Sequence, residues 1–102
     1  MSTPHGFDEL IHAPTRLSIV ALLSVSEWAE FTFVRDSLSM SDSALSKQVA
    51  TLEEAGYVVV RKTGAGRSRR TQLQLSTHGR RAFSGHAAAL QQIIANAETQ
   101  AR

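Results

Sequence analysis

The 102-residue chain contains no cysteine, which excludes a disulfide scaffold, cysteine-based zinc or iron–sulfur sites and thiol catalysis. Long apolar runs are also missing. The longest is Ile19 to Leu23, five residues, far short of a bilayer span. The start of the chain, Met-Ser-Thr-Pro-His, lacks a basic segment followed by an apolar stretch, so no secretory signal is expected. The length suits one domain with one modest core spanning residues 1–102, and is too short for two. A soluble, cytoplasmic protein without membrane contact is the expectation.

Net charge is also small, +2 from 11 Lys+Arg against 9 Asp+Glu. Its distribution is not. Up to Glu54, Arg16, Arg35 and Lys47 face eight carboxylates, for a net −5. From Ala55 onward, eight basic residues face Glu98 alone, for a net +7. Such asymmetry points to a polyanionic partner, with a solvated basic face as the alternative.

Hydrophobic period gives the order of elements. Phe7, Leu10 and Ile11 lie at helical spacing, and Pro14 is placed to open a second helix at its first turn. That helix carries Leu17, Ile19, Val20, Leu22 and Leu23 on more than one face, which places it centrally. A short extended piece near Glu30 leads to Thr32, the expected N-cap of a third helix with Val34 and Leu38. After the polar turn Ser39-Met40-Ser41-Asp42, a helix over about 42–55 carries the stripe Leu45, Val49 and Leu52 and stops at Gly56. The period then changes. Tyr57 to Leu75 reads as a hairpin turning at Gly64-Ala65-Gly66, and Ser76 caps a last helix over about 76–99. The fold expected is mainly α with a small β-hairpin: a winged helix-turn-helix with a three-helix core, a wing and a C-terminal dimerisation helix.

Residues carry the resemblance further. Leu45-Ser46-Lys47 followed by Leu52-Glu53-Glu54-Ala55-Gly56-Tyr57-Val58 resembles the recognition helix of winged-helix regulators of the MarR and ArsR type. Pro14-Thr15-Arg16-Leu17-Ser18-Ile19-Val20-Ala21-Leu22-Leu23 resembles their P-x-R-L-x-I-L-x-L-L helix, and Leu75-Ser76-Thr77-His78-Gly79 their L-T-x-x-G entry to the last helix. The resemblance runs from about Phe7 to Leu90 and is nearest to the small stand-alone regulators. It implies a homodimeric transcriptional regulator, a repressor of sequence-specific action on an inverted repeat.

Double-stranded DNA is the expected partner. On a helix turning ~100° per residue, Ser43, Ser46 and Lys47 point away from the buried stripe, with Ala44 and Thr51 flanking it. Small residues let the helix sit deep in a major groove, where Ser and Thr bond base edges or phosphates and Lys47 reaches guanine acceptors. Ser41 at the helix start and Gln48, nearer the buried stripe, complete the candidate set. The wing, over about 57–75, offers Arg61, Lys62, Arg67, Ser68, Arg69 and Arg70 to phosphates or a narrow minor groove. A phosphate-binding P-loop is excluded at Gly64-Ala65-Gly66, because the glycines join two strands.

The stripe Phe83, Ala87, Leu90, Ile94 and Ala97, widened by Ile93, has the spacing of a helix-pairing seam. Beyond Leu90 it outruns so small a core. A second copy is the expected cover, and the family's use of its terminal helices adds Phe7, Leu10 and Ile11. No metal is expected, since the four histidines form no His-Glu-x-x-His motif. No cofactor and no catalytic constellation is found either. The larger MarR proteins hold an effector against additional helices that this chain mostly lacks, so no effector is assigned. Trp28 and Phe33 read as core or interface aromatics. The rival readings are a winged helix that docks another protein and a non-specific architectural DNA binder. The crowded wing arginines favour DNA over protein docking.

Overall fold

A computed structural model describes residues 3–101. Its elements are α1 (Glu9–His12), α2 (Pro14–Ser24), β1 (Ala29–Glu30), α3 (Phe31–Ser37), α4 (Asp42–Glu54), β2 (Val58–Thr63), β3 (Arg70–Leu75) and α5 (Thr77–Gln100). The three strands form one antiparallel sheet in the order β1-β3-β2, with Leu73 opposite both Ala29 and Val60. Helices α2, α3 and α4 enclose a core of Ile19, Val20, Leu23, Val34, Leu45, Val49 and Leu52, closed by Val58, Leu73 and Leu75 from the sheet. Winged helix-turn-helix is the architecture.

Local chemistry sets the helix ends. The Asp8 carboxylate caps α1 through the Ile11 N–H, and Pro14 opens α2. Ser41 Oγ accepts from the Ala44 N–H at the start of α4 (3.1 Å), and Ser76 Oγ from the Gly79 N–H at the start of α5 (2.9 Å). Gly56, just past α4, takes φ +80°, the left-handed conformation that closes a helix most cheaply for glycine. Between α3 and α4, Ser39 adopts φ 53°, so the polar turn reverses the chain through a left-handed residue.

Three expectations change. Thr32 does not cap α3, which starts two residues earlier than that cap implies, at Phe31, with Glu30 as its N-cap and no side-chain cap bond. The Glu30 carboxylate is engaged across the sheet instead, accepting from Gln72 Nε2 (3.1 Å) and lying 3.4 Å from Arg70 Nε. Second, the wing turn is longer than Gly64-Ala65-Gly66: a 3-10 turn over Gly66–Ser68 extends it to Arg69. Third, Ile11 is fully buried within its own chain. Capped by Asp8, α1 is a single turn packed against α2 and α5, so Ile11 is a core residue and not an interface residue.

α5 is the long element. Its N-terminal half packs on the core through Gly79, Phe83, His86 and Ala89, whereas residues 91–100 are all exposed. Those ten exposed residues make a spur of about 15 Å at 1.5 Å per residue. No helix among the described residues is long and apolar enough to cross a membrane.

Candidate nucleic-acid interface

The outer face of α4 is built by subtraction. Leu45, Val49 and Leu52 turn inward, which leaves Ser43, Ala44, Ser46, Lys47 and Ala50 exposed. Lys47 is the one basic residue of this helix. Ser41 is exposed but engaged as the helix cap, with its Oγ 3.3 Å from Ser43 Oγ. Thr51 is half-buried and donates to the Lys47 carbonyl (3.2 Å). Gln48 is turned away from this face: half-buried, its Oε1 accepts from Arg16 Nη1 (3.1 Å). A guanidinium only donates, so the Gln48 oxygen is fixed toward α2 and its bidentate reading of adenine is lost.

A second cation pins α4 from outside the helix. Arg35 of α3 donates through Nη1 to Asp42 Oδ1 and through Nε to Asp36 Oδ1, both at 2.8 Å. These hydrogen bonds push the guanidinium pKa up and hold the Asp36 carboxyl below its ordinary value. The pair ties the start of α4 to α3 across the turn.

Strand alternation sorts the wing. Successive side chains of β2 point to opposite faces, so Lys62 shares the α4-facing side with Val58 and Val60 while Arg61 lies on the other. Lys62 lines a groove of about 380 Å³ between α4 and the sheet, together with Asp42, Ser46, Ala50 and Glu53. On the outer face Arg61 is held three ways. Its guanidinium lies 4.0 Å from the centroid of Trp28, and its Nε and Nη2 donate to Gln72 Oε1 at 3.0 and 2.6 Å. Arg70 lies against Glu30. Thus Arg61 and Arg70 brace the outer face of the sheet, while Arg67 and Arg69 stand exposed on the turn. Ser68 is exposed too, but its Oγ donates to the Ala65 carbonyl at 2.8 Å and closes the turn. Gly64, at φ +77°, is required there, since a Cβ would lie 2.2 Å from the Ser68 carbonyl oxygen.

The remaining seam residues divide along α5. Phe83 packs against the core with Leu10, and Phe7, Ala87 and Leu90 are half-buried by their own chain. Ile93, Ile94 and Ala97 are exposed, Ile94 at 58%. Phe33 is also mostly exposed, at 54%, because Phe31 and Val34 take the inward positions of α3. Trp28 is half-buried beneath Arg61.

A small exposed helix face, one lysine, a flanking groove and two arginines on a hairpin tip have a recognised pattern. Residues 15–94 match the profile of the winged helix DNA-binding domain family. The chain belongs to that family. Its winged helix is similar to an uncharacterized protein of Methanocaldococcus jannaschii, 28% identical over 88% of this chain and 98% of that protein. It is similar in structure to a transcriptional regulator homologue from Pyrococcus horikoshii (24% identity, TM-score 0.81, 87% of this chain and 88% of that one). It also superposes on MepR of S. aureus, solved with DNA, at 13% identity and TM-score 0.73, over 91% of this chain and 76% of that one. At such identities the structures show a shared fold, the winged helix. The family is defined by a winged helix domain that binds DNA.

Sequence reasoning did not find Arg16, Arg35, Arg61 and Arg80 as structural cations. Arg80 donates to the carbonyls of Ser24 and Ser26, both at 3.1 Å, and so closes the end of α2. Only Arg61 carried a readable signal, its alternation with Lys62. It also did not find the buried His86 or the Asp8–Tyr57 hydrogen bond, which join segments 49 and more residues apart.

Proposed function

We infer that this winged helix is a sequence-specific regulator that binds double-stranded DNA as a homodimer and represses by occupying an inverted-repeat operator in the cytoplasm. The observation that carries the reading is the exposed α4 face of Ser43, Ala44, Ser46 and Lys47. Its small side chains admit the helix to a major groove. Lys47 is the base reader, and Ser41 and Thr51 contact the backbone at its flanks. Lys62 in the groove and Arg67 and Arg69 on the turn take phosphates or a narrow minor groove. A similar fold solved with DNA supports this placement. Two copies joined along α5 present their α4 helices to half-sites about 34 Å apart.

Selection of bound fragments from random DNA by the purified protein, with competitor titration, tests the reading. Enrichment of an inverted repeat is the expected result. Salt-dependent binding without enrichment points to an architectural protein, and absence of binding to a protein-docking module.

Lys47 and Arg69 separate two kinds of contact. Lys47→Ala is expected to reduce discrimination between the selected fragment and random DNA by about 1–3 kcal/mol. Arg69→Ala should weaken both alike and lower the slope of log K against log salt by about 1. Anisotropy titrations at several salt concentrations measure both. Parental behaviour of both variants overturns the site.

A further inference from the structure

Residues near the two ends of the chain meet where the N-terminal segment crosses α5. The approach is close enough that a Cβ on Gly6 would lie 2.9 Å from the Gly85 carbonyl oxygen. Beside that crossing, Phe7 lies 4.8 Å from His12 and 4.7 Å from His86, centroid to centroid, and the two imidazoles are 5.2 Å apart. His86 is fully buried and His12 is exposed.

Hydrogen bonding fixes the protons of this pair. The Asp8 backbone N–H donates to His86 Nδ1 at 3.0 Å, so Nδ1 carries a lone pair and the proton of neutral His86 sits on Nε2. Nε2 then donates to His12 Nδ1 at 3.2 Å, which places the proton of His12 on its own Nε2. The chain of donors runs one way, from backbone to solvent, and has no place for another proton. Protonating His86 at Nδ1 opposes it to the Asp8 N–H.

The surrounding charges offer no escape. The Asp8 carboxylate accepts from the Ile11 N–H (3.0 Å) and from the Tyr57 hydroxyl, whose pKa this hydrogen bond pushes up to about 12. Burial first, and His12 second, hold His86 below the ordinary imidazole value of 6.5, against the weaker pull of Asp8 and Glu9. From α2, Arg16 donates Nε to the Leu10 carbonyl (2.6 Å) and Nη1 to Gln48 of α4. The segment held by the histidine pair thus supplies the carbonyl that positions Arg16, the residue of α2 that reaches α4.

We propose that the His12–His86 pair is a proton-sensitive latch, whose protonation undocks the Gly6–His12 segment from α5 and lowers affinity for DNA. The DNA half of the proposal rests on the reading of α4 given above. A lowered folded-state pKa means that docking is fully stable above pH 6.5 and weakens as pH falls below it. For one proton released to an ordinary imidazole environment, docking loses about tenfold between about pH 7.5 and 5.5.

Amide hydrogen exchange of Asp8, Ile11 and His12 in the DNA-free protein, corrected for intrinsic rates, reads the latch directly. Protection should fall about tenfold over that range in the parent and stay flat in His86→Asn, whose amide oxygen accepts without titrating. Long-range imidazole ¹⁵N spectra of the parent need no variant, and should show His86 protonated at Nε2 alone at neutral pH. Protection independent of pH, or a His86 proton on Nδ1 at neutral pH, overturns the latch. At constant ionic strength, the parent should lose affinity for the selected fragment on acidification, beyond that of His86→Asn, in proportion to the docked fraction that exchange shows to be lost, up to about tenfold. Opening without that loss overturns the link to DNA. Absence of DNA binding at every pH overturns the DNA reading instead, and leaves the exchange data to judge the latch.

Discussion

Gly79→Ala is expected to destabilise the fold by about 1–3 kcal/mol, the opposite of what this change does in most helices. An alanine in a helix interior normally gains up to about 1 kcal/mol over glycine. Here the added Cβ would lie 2.2 Å from the Tyr57 carbonyl oxygen and 2.9 Å from its carbon. That carbonyl cannot withdraw freely. It accepts from the Ser76 N–H at 2.9 Å, and the Tyr57 N–H donates to Leu52 at the same distance. Moving Tyr57 therefore disturbs the end of α4, the entry to β2 and the cap of α5 together. Overpacking against fixed backbone costs about 1–3 kcal/mol or more, and a domain of this size loses about 4–8 °C per kcal/mol. A fall of roughly 4–24 °C in Tm is the expected result. Gly85→Ala provides the contrast on the same helix, since its Cβ would meet Gly6 at an ordinary 3.6 Å. That variant should match or exceed the parent. Equal melting of the two variants removes the steric account.

The same joint shows what a sequence can and cannot disclose. Ser41, Gly56, Ser76 and Pro14 act on residues one to four positions away, so α2, α4 and α5 were readable from local chemistry and a 3.6-residue period. Gly79, by contrast, owes its identity to a carbonyl in another element. His86 was similarly opaque. It falls among the apolar positions of α5, but its partners Asp8 and His12 lie 78 and 74 residues away. Thr32 was misread because Glu30, the cap in fact, has its carboxylate drawn to Gln72 and Arg70 across the sheet.

Charge was the more instructive case. The +7 segment gave a correct sense of asymmetry but overstated the basic surface free to meet a partner. Arg61, Arg70 and Arg80 are engaged by Gln72 and Trp28, by Glu30, and by the end of α2. That leaves Lys47 on α4, Lys62 in the groove and Arg67 and Arg69 on the turn, a smaller set. The alternation of β2 would have separated Arg61 from Lys62 in advance. Its register against α4 would not have been known, and register decides which of the two faces the helix.

Ile93→Asp combined with Ile94→Asp is expected to leave the winged helix folded and abolish tight binding to an inverted repeat. Both side chains are substantially exposed, at 41% and 58%, so their replacement costs the single chain within about 0.5 kcal/mol. In a dimer paired along the spur of α5, each aspartate would be buried against apolar surface without a partner, which separates the chains. Binding then falls from a two-point to a one-point event. Linking two binding modules gives about 10²–10⁴-fold over either alone, and this factor is the loss expected for the selected fragment. A single half-site should bind parent and variant alike. Sedimentation and anisotropy at matched protein concentrations measure the two quantities separately. A variant that remains dimeric places the interface elsewhere. A variant that becomes monomeric yet binds the full site like the parent shows that pairing contributes nothing to recognition, and with it the two-fold geometry of the operator falls.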